Sequence, residues 1–383
     1  MANARNTFST RLLRWFDHSG RKDLPWQTRP TAYRVWVSEI MLQQTQVTTV
    51  IPYYLRFMQR FPDVHSLAQA APDEVLHLWS GLGYYARARN LHRAARLIRD
   101  RHHGELPRDM ALLQQLPGIG RSTAAAILAL AHGERHAILD GNVKRVLARY
   151  HAIDGWPGSR RVEQQLWTCA ESHTPPRRAR DYTQAIMDLG ATVCTRARPG
   201  CGRCPLSGSC AAHGIGRETD YPAPRPRKTL PVRGAVFLLL HNGRGETLLE
   251  QRPPGGVWGG LWSLPECSQA SAAQIRRWCR NHLGFEVGTL KFWPGLRHTF
   301  SHFHLDITPV EGRVNKIAAA VMEPGRRVWY NMAKPDVRGL PAPVKDLLLQ
   351  LAHKETHDTN GLLRKTRPRG RRAQGAAVSG RAG

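Results

Sequence analysis

Leu116-Pro117-Gly118-Ile119-Gly120-Arg121-Ser122 is the stretch whose reading decides the fold. Apolar positions recur at helical spacing on both sides of it, in Met110–Leu116 and Ser122–Ala131. The pattern predicts helix, tight glycine hairpin, helix. Gly118 and Gly120 would let backbone amides approach a phosphate, and the second helix would turn its positive N-terminal end toward the same anion. Such a hairpin can also simply join two packed helices, so the reading is built outward. The same periodicity runs through Tyr33–Leu42, Val47–Phe57, Leu91–Ile98 and Val143–Tyr150, punctuated at Pro72-Asp73 and Pro117-Gly118. Residues 1–220 are therefore predicted to be almost entirely helical.

The character changes after Tyr221–Pro231 (YPAPRPRKTLP), whose prolines fit neither helix nor central strand and which reads as a linker, residues 221–231. Beyond it, Val232–His241 and Thr247–Gln251 are β-type runs flanking a turn at Asn242-Gly243. A helix over Ser271–Leu283, strands near Leu290–Trp293, Phe303–Val310 and Arg327–Tyr330, and a closing helix over Pro341–Ala352 complete an α+β domain, residues 232–352. There are no internal repeats. Lys and Arg number 56 against 29 acids, a net charge of +27, which calls for an anionic partner. No apolar run is long enough to span a bilayer and no apolar signal core follows Met1, so nucleic acid is favoured over a membrane. From Lys354 onward eight basic residues meet two acids, and residues 353–383 read as a disordered basic tail.

Three groups of residues carry chemistry. Four of the seven cysteines form Cys194-x6-Cys201-x2-Cys204-x5-Cys210, a set that could surround one ion or cluster without other ligands. Ligand type alone leaves structural zinc and iron–sulfur near even, while the clustering speaks against a secreted disulfide framework. In Leu139-Asp140-Gly141-Asn142, Asp140 would cap a helix whose dipole favours the ionised carboxylate. In Trp36-Val-Ser-Glu39-Ile-Met-Leu-Gln-Gln44, Glu39 sits in a mostly apolar helix. A solvent-facing glutamate is one reading. An apolar surround would instead keep it protonated, as a general acid requires.

Taken together these motifs resemble the endonuclease III helix-hairpin-helix superfamily, and over roughly residues 8–350 the MutY-type adenine DNA glycosylases. The resemblance implies an all-α glycosylase fold over 1–220, with 30–135 as the hairpin-bearing subdomain and 1–29 plus 136–220 as the iron–sulfur subdomain, DNA lying between them. It implies a 4Fe–4S cluster on Cys194, Cys201, Cys204 and Cys210, a catalytic Asp140 supported by Asn142, and Glu39 as the acid that protonates the departing adenine. It assigns Trp26, in a Leu24-Pro-Trp26 strand, and nearby Gln27 to the adenine pocket, Gln184 to an adenine contact, and Gln44 and Tyr84 to wedges beside the lesion. Gly118, Gly120 and Ser122 fall at the DNA-binding hairpin. The bifunctional members carry lysine where this chain has Ser122, which cannot form a Schiff base, so a monofunctional enzyme is expected. The second half resembles the Nudix-like domain that reads 8-oxoguanine, with Phe300-Ser301-His302 at the reading loop. Its helix, Gln274-Ile-Arg-Arg-Trp-Cys-Arg280, lacks the acids a hydrolytic Nudix site needs. The implied partner is double-stranded DNA with adenine opposite 8-oxoguanine or guanine, bound by a monomer in the cytoplasm or nucleoid of a bacterium. Two rivals stand beside this: a bifunctional glycosylase/lyase for oxidised pyrimidines, and a non-catalytic DNA-binding protein with a structural metal.

Overall fold

A computed structural model describes residues 7–226, 229–268, 271–317 and 326–365. The chain separates into two compact units. One runs to Leu230 and also takes in Pro253–Leu261 and Val337–Gly339; the other holds the remaining residues.

The first unit is helical: α1 Phe8–Ser19, α2 Ala32–Leu42, α3 Val47–Arg60, α4 Val64–Gln69, α5 Pro72–Trp79, α6 Ala86–Arg101, α7 Met110–Gln115, α8 Arg121–His132, α9 Gly141–Tyr150, α10 Arg160–His173, α11 Ala179–Asp188 and the single turn α12 Ala211–Gly214. Short polar side chains start several of them by accepting orphan amides. Thr31 accepts from Arg34 N at 3.2 Å, Asp109 from Leu112 N at 2.8 Å, and Asp63 and Ser66 form a reciprocal capping box. Trp36, Met41, Tyr54, Phe57, Phe61 and Trp79 are fully buried and form the core around α2 and α3. The buried run Ala124-Ala125-Ala126 has only methyl side chains, which lets α8 lie close against α2. One set of helices gathers α2 to α8; α1 instead packs on α11, and α9 on α10, α11 and α12. Glu39 belongs to α2, and Asp140 heads α9.

The second unit is a mixed eight-stranded sheet with β1 Val232–His241, β2 Glu246–Gln251, β3 Trp262–Ser263, β4 Glu266–Cys267, β5 Phe285–Phe292, β6 Leu296–Thr299, β7 His304–Ile317 and β8 Arg327–Asn331. The main path is β3-β2-β1-β7-β5, with β4 on β1, β6 on β7 and β8 on β2. β1 and β7 run parallel from Val232↔His304 to His241↔Arg313, and every other pairing is antiparallel. α13, Ala272–Trp278, seats Ile275 among Leu238, Leu240, Leu248, Phe285 and Val310.

Several expectations need correction. Leu24-Pro-Trp26 is no strand; it leads into a turn closed by Gln27 N donating to Leu24 O at 2.8 Å. β5 begins at Phe285 rather than Leu290, because irregularities at Glu286/Val287 and Val287/Leu290 break the alternation that marks a strand in sequence. β6 was not foreseen: Leu-Arg-His-Thr is half exposed, and its Arg297 pairs with Asp306 across the ladder instead of burying an apolar face. The closing helix α14 spans Ala342–Lys365, so the segment expected to be disordered after Ala352 is helical to Lys365; no proline interrupts it before Pro368. The rest of that tail lies outside the described residues. The linker's first residue, Tyr221, is buried and accepts from Arg149 Nε at 2.9 Å.

Candidate active site

Asp140 is the N-cap of α9. Its Oδ1 accepts from Val143 N at 2.7 Å, and its Oδ2 from Asn142 Nδ2 at 3.3 Å. The capping geometry fixes the carboxylate at the positive end of the helix. Glu39 comes from the middle of α2, among buried Trp36, Ser38 and Ile40. Burial pushes its carboxyl up to about 8, and the negative charge of Asp140 pushes the same way. Asp140 is also raised by burial, but the Val143 amide, Arg145 and Asn142 all pull it back down. The two acids therefore divide one proton unequally. Of the two, Glu39 is the better holder of it, because the Val143 amide, Arg145 and Asn142 favour the anion of Asp140.

Asn142 is itself held. Arg145 Nη2 donates to Asn142 Oδ1 at 2.9 Å and to Gly190 O at 2.6 Å, while Arg145 Nε donates to Cys194 O at 2.7 Å. A Cβ on Gly190 would come within 2.6 Å of Asn142 Cβ, so only glycine permits this approach. Arg149 extends the chain of contacts: Nη1 donates to Cys194 Sγ at 3.3 Å and to Thr195 O at 2.7 Å. One path of hydrogen bonds thus joins Asp140 to the cysteine loop.

That loop brings all four expected cysteines, Cys194, Cys201, Cys204 and Cys210, to the wall of one small pocket. None of the four is in a disulfide. Burial pushes Cys201, Cys204 and Cys210 upward, Cys201 to about 11, and the neighbouring thiols add to this. Four soft donors converging on one cavity, and opposing one another's ionisation, fit a thiolate-bound metal cluster that would neutralise them. His213 and Glu218 stand beside Cys201, the three ligand atoms within 4.8 Å of one another, and His213 Nδ1 bonds Glu218 at 2.5 Å.

A second constellation gathers near the N-terminus. Trp26 is 5% exposed and meets Tyr54 edge-on at 5.4 Å. Gln27 spans the turn: its Nε2 donates to Arg21 O at 3.1 Å and its Oε1 accepts from Leu24 N at 3.1 Å. Gln184 Nε2 donates to Asp188 Oδ1 at 2.9 Å. Arg21 grips the same carboxylate, through Nη2 at 2.6 Å and Nε at 2.9 Å to Oδ1 and through its backbone amide at 2.8 Å to Oδ2. Sequence reasoning missed Asp188, Arg21, Arg145 and Arg149. For Asp188 a signal existed, since it lies four residues beyond Gln184 on one helix face.

At the hairpin, Gly118 has φ +82°, a left-handed backbone suited to glycine, whereas a Cβ on Gly120 would meet nothing within 4 Å. Ser122 is half-buried, and its Oγ accepts from Leu139 N at 3.0 Å, tying the hairpin to the residue before Asp140. Gln44 and Tyr84 are both exposed, with φ +58° and +47°. Phe300-Ser301-His302 forms the loop between β6 and β7: Ser301 and His302 are exposed, while the Phe300 ring stacks on Phe303 at 4.6 Å. It belongs to the other unit. Within α13 and the turn after it, Ala272–Leu283, there is no carboxylate, and Glu266 is paired with Arg252 at 2.8 Å.

A helical domain with a glycine hairpin, a capped aspartate and a half-buried glutamate in an apolar helix defines a base-excision DNA glycosylase. Residues 37–172 match the HhH-GPD superfamily base excision DNA repair protein, and residues 235–350 match the NUDIX domain. The chain is similar to the adenine DNA glycosylase of Buchnera aphidicola subsp. Acyrthosiphon pisum, 39% identical over 341 residues, or 89% of this chain and 96% of that protein. The human adenine DNA glycosylase is 37% identical over 363 residues, 78% of this chain and 65% of that one. A thermostable thymine-DNA glycosylase superposes with a TM-score of 0.51 at 27% identity, covering 55% of this chain and 97% of its own. The chain belongs to the adenine DNA glycosylase family. Among the described residues no helix is long and apolar enough to cross a membrane.

Proposed function

We propose that this protein hydrolyses the N-glycosidic bond of adenine mispaired with 8-oxoguanine, and less readily with guanine, in duplex DNA inside the cell. The observation that carries the reading is the paired environment of Glu39 and Asp140: burial pushes the Glu39 carboxyl up to about 8, while Asp140 caps α9 with the Val143 amide and Asn142 donating to its carboxylate. Glycosidic C–N cleavage needs the base to leave protonated, and Glu39 is the group that supplies the proton. The sugar then develops cationic charge, and Asp140, held by Val143 N and Asn142, supplies the fixed negative charge beside it. Water completes the reaction. Ser122 offers a hydroxyl where an amine would be needed for β-elimination, so the abasic strand is left intact.

Trp26, Gln27 and Gln184 form the pocket for the extruded adenine, with Asp188 and Arg21 fixing Gln184 in place. Gln44 and Tyr84 enter the duplex as wedges, and Gly118 and Gly120 seat a phosphate. Phe300, Ser301 and His302 read the oxidised guanine, without nucleotide hydrolysis. Cys194, Cys201, Cys204 and Cys210 would hold a 4Fe–4S cluster. When bound, it supplies a rigid frame for the basic loop carrying Arg196, Arg198 and Arg203 rather than a chemical step. The test uses duplexes containing adenine opposite 8-oxoguanine, adenine opposite guanine, thymine glycol, or no lesion, scored for base release and strand cleavage. Adenine release without cleavage is expected. Thymine glycol release with cleavage would put the bifunctional reading ahead.

A further inference from the structure

Arg87, in the first turn of α6, is 9% exposed. Its Nη1 donates to Ile40 O at 2.9 Å, Met41 O at 2.8 Å and Gln43 O at 2.6 Å. Its Nη2 donates to Thr45 Oγ1 at 3.2 Å, Leu82 O at 3.3 Å and Gly83 O at 3.2 Å. All six acceptors are neutral. Burial lowers its pKa to about 10, so the group is still a cation at neutral pH. A buried guanidinium without a carboxylate partner is costly, and what it holds explains the cost.

Ile40, Met41 and Gln43 offer carbonyls at the C-terminal end of α2, where a cation suits the orphan acceptors and the dipole. Gln43 and Thr45 flank Gln44. Leu82 and Gly83 immediately precede Tyr84, and the Arg87 amide donates to Tyr84 O at 2.8 Å. The guanidinium carbon also lies 5.6 Å from the Tyr84 ring centroid and 5.4 Å from that of Trp79. Gln44 and Tyr84 are two of the seven non-glycine residues with left-handed backbone among the described residues, and such conformations persist only where the surroundings over-determine them. The Arg87 side chain thus brackets Gln44 on both sides and holds the two residues before Tyr84, while the Arg87 backbone amide holds Tyr84 itself.

We infer that Arg87 is a positioning residue that locks Gln44 and Tyr84 as a single rigid pair, so that both enter the duplex together when the adenine is extruded. This rests on the reading of those two residues as wedges. Arg87 touches neither the base nor the reacting atoms. It acts by pre-paying the ordering of two loops before DNA arrives.

The test uses the full chain and an adenine:guanine duplex with 2-aminopurine next to the mispaired guanine. Its fluorescence rises when the stack is opened. Single-turnover adenine release is measured in parallel. Arg87→Lys keeps the charge and loses the two-nitrogen fork. It should cut release roughly 10- to 100-fold and remove most of the fluorescence rise at saturating protein, a loss on the scale of a small misplacement of reacting groups. Affinity for undamaged duplex should stay within about twofold. In a Gln44→Ala/Tyr84→Ala background, Arg87→Lys should add less than about twofold, because the residues it positions are gone. An equal loss in both backgrounds, or an unchanged fluorescence rise in the single variant, overturns the inference. If Gln44→Ala/Tyr84→Ala itself leaves both signals at the wild-type level, the wedge reading fails and the inference goes with it. If Arg87→Lys does not fold, Thr45→Val takes its place: it must show a smaller loss of the same kind, absent from the double-alanine background, and no loss at all counts against the inference.

Discussion

Asp140→Asn separates the two things the aspartate does. Asparagine is as good an N-cap as aspartate, so the bond from Val143 N at 2.7 Å has an acceptor and α9 should start where it does now. The melting temperature should hardly move. What is lost is a unit charge near the sugar. Two unit charges about 4 Å apart at an effective dielectric constant near 20 attract by ~4 kcal/mol, which corresponds to roughly a thousandfold in rate. The second consequence concerns pH. Glu39 is held up to about 8 by burial first and by the Asp140 charge second. Its useful form is the protonated one, present below that value and lost as pH rises through it. Activity in the wild type should therefore fall on the alkaline side near pH 8. On the acid side it should fall as pH drops through the raised pKa of Asp140, where the useful anion is protonated. In the variant the acid limb due to Asp140 disappears. The alkaline limb moves to lower pH without reaching the ordinary glutamate range, since burial remains. Single-turnover release of labelled adenine across that pH range measures all of this. A residual rate whose alkaline limb stays where it was would refute the coupling, and a near-wild-type rate would refute the role of the charge.

Ser122→Lys should give measurable strand cleavage and a borohydride-trapped adduct, with the wild type giving little of either under the same conditions. The variant loses the acceptor for Leu139 N, a destabilisation of about 1 kcal/mol. Robust wild-type trapping at the rate of base release would remove the monofunctional assignment. Ser301→Ala should shrink the preference for 8-oxoguanine over guanine by roughly fivefold, the scale of one hydrogen bond, while release opposite guanine is unchanged. An unaltered ratio would mean that Ser301 is not a reader. Iron and sulfide analysis of anaerobically purified protein should return about four of each per chain. Cys201→Ser should lower that content and the DNA affinity more than the chemical step, and one zinc per chain in the wild type would contradict the cluster.

What the sequence made legible was what lies close along the chain. The glycine hairpin, the cap at Asp140 and the four-cysteine loop each sit within a short window, where spacing and turn chemistry speak directly. Glu39 was legible as a conflict, an ionisable group in an apolar helix, and the structure resolves the conflict by burial and a neighbouring charge. Asp188 was legible only as a helix-face neighbour of Gln184; its ion pair with Arg21, 167 residues away, follows from no local pattern. The six neutral acceptors of Arg87 are likewise spread over α2 and two loops, and a lone arginine in a basic helix reads as surface charge. β6 escaped because it buries no apolar face, and β5 was shifted by irregularities that break the two-residue period. Pro253–Leu261 carries no signal that it belongs with the first unit: Arg89 Nη1 donates to Gly259 O at 2.7 Å, a backbone contact that any residue there could accept.

The most direct test of the central claim is adenine release by Glu39→Gln. Glutamine keeps the shape of the side chain and cannot carry the transferable proton. With a pKa near 8 the wild-type acid is about 90% protonated at pH 7, against well under about 1% for a glutamate at its ordinary value. The variant should bind the mispaired duplex with near-normal affinity and release adenine at least ~100-fold more slowly, the usual scale for removing a general acid. Near-normal release with intact binding would mean that another group protonates the adenine, and the assignment of Glu39 would be wrong.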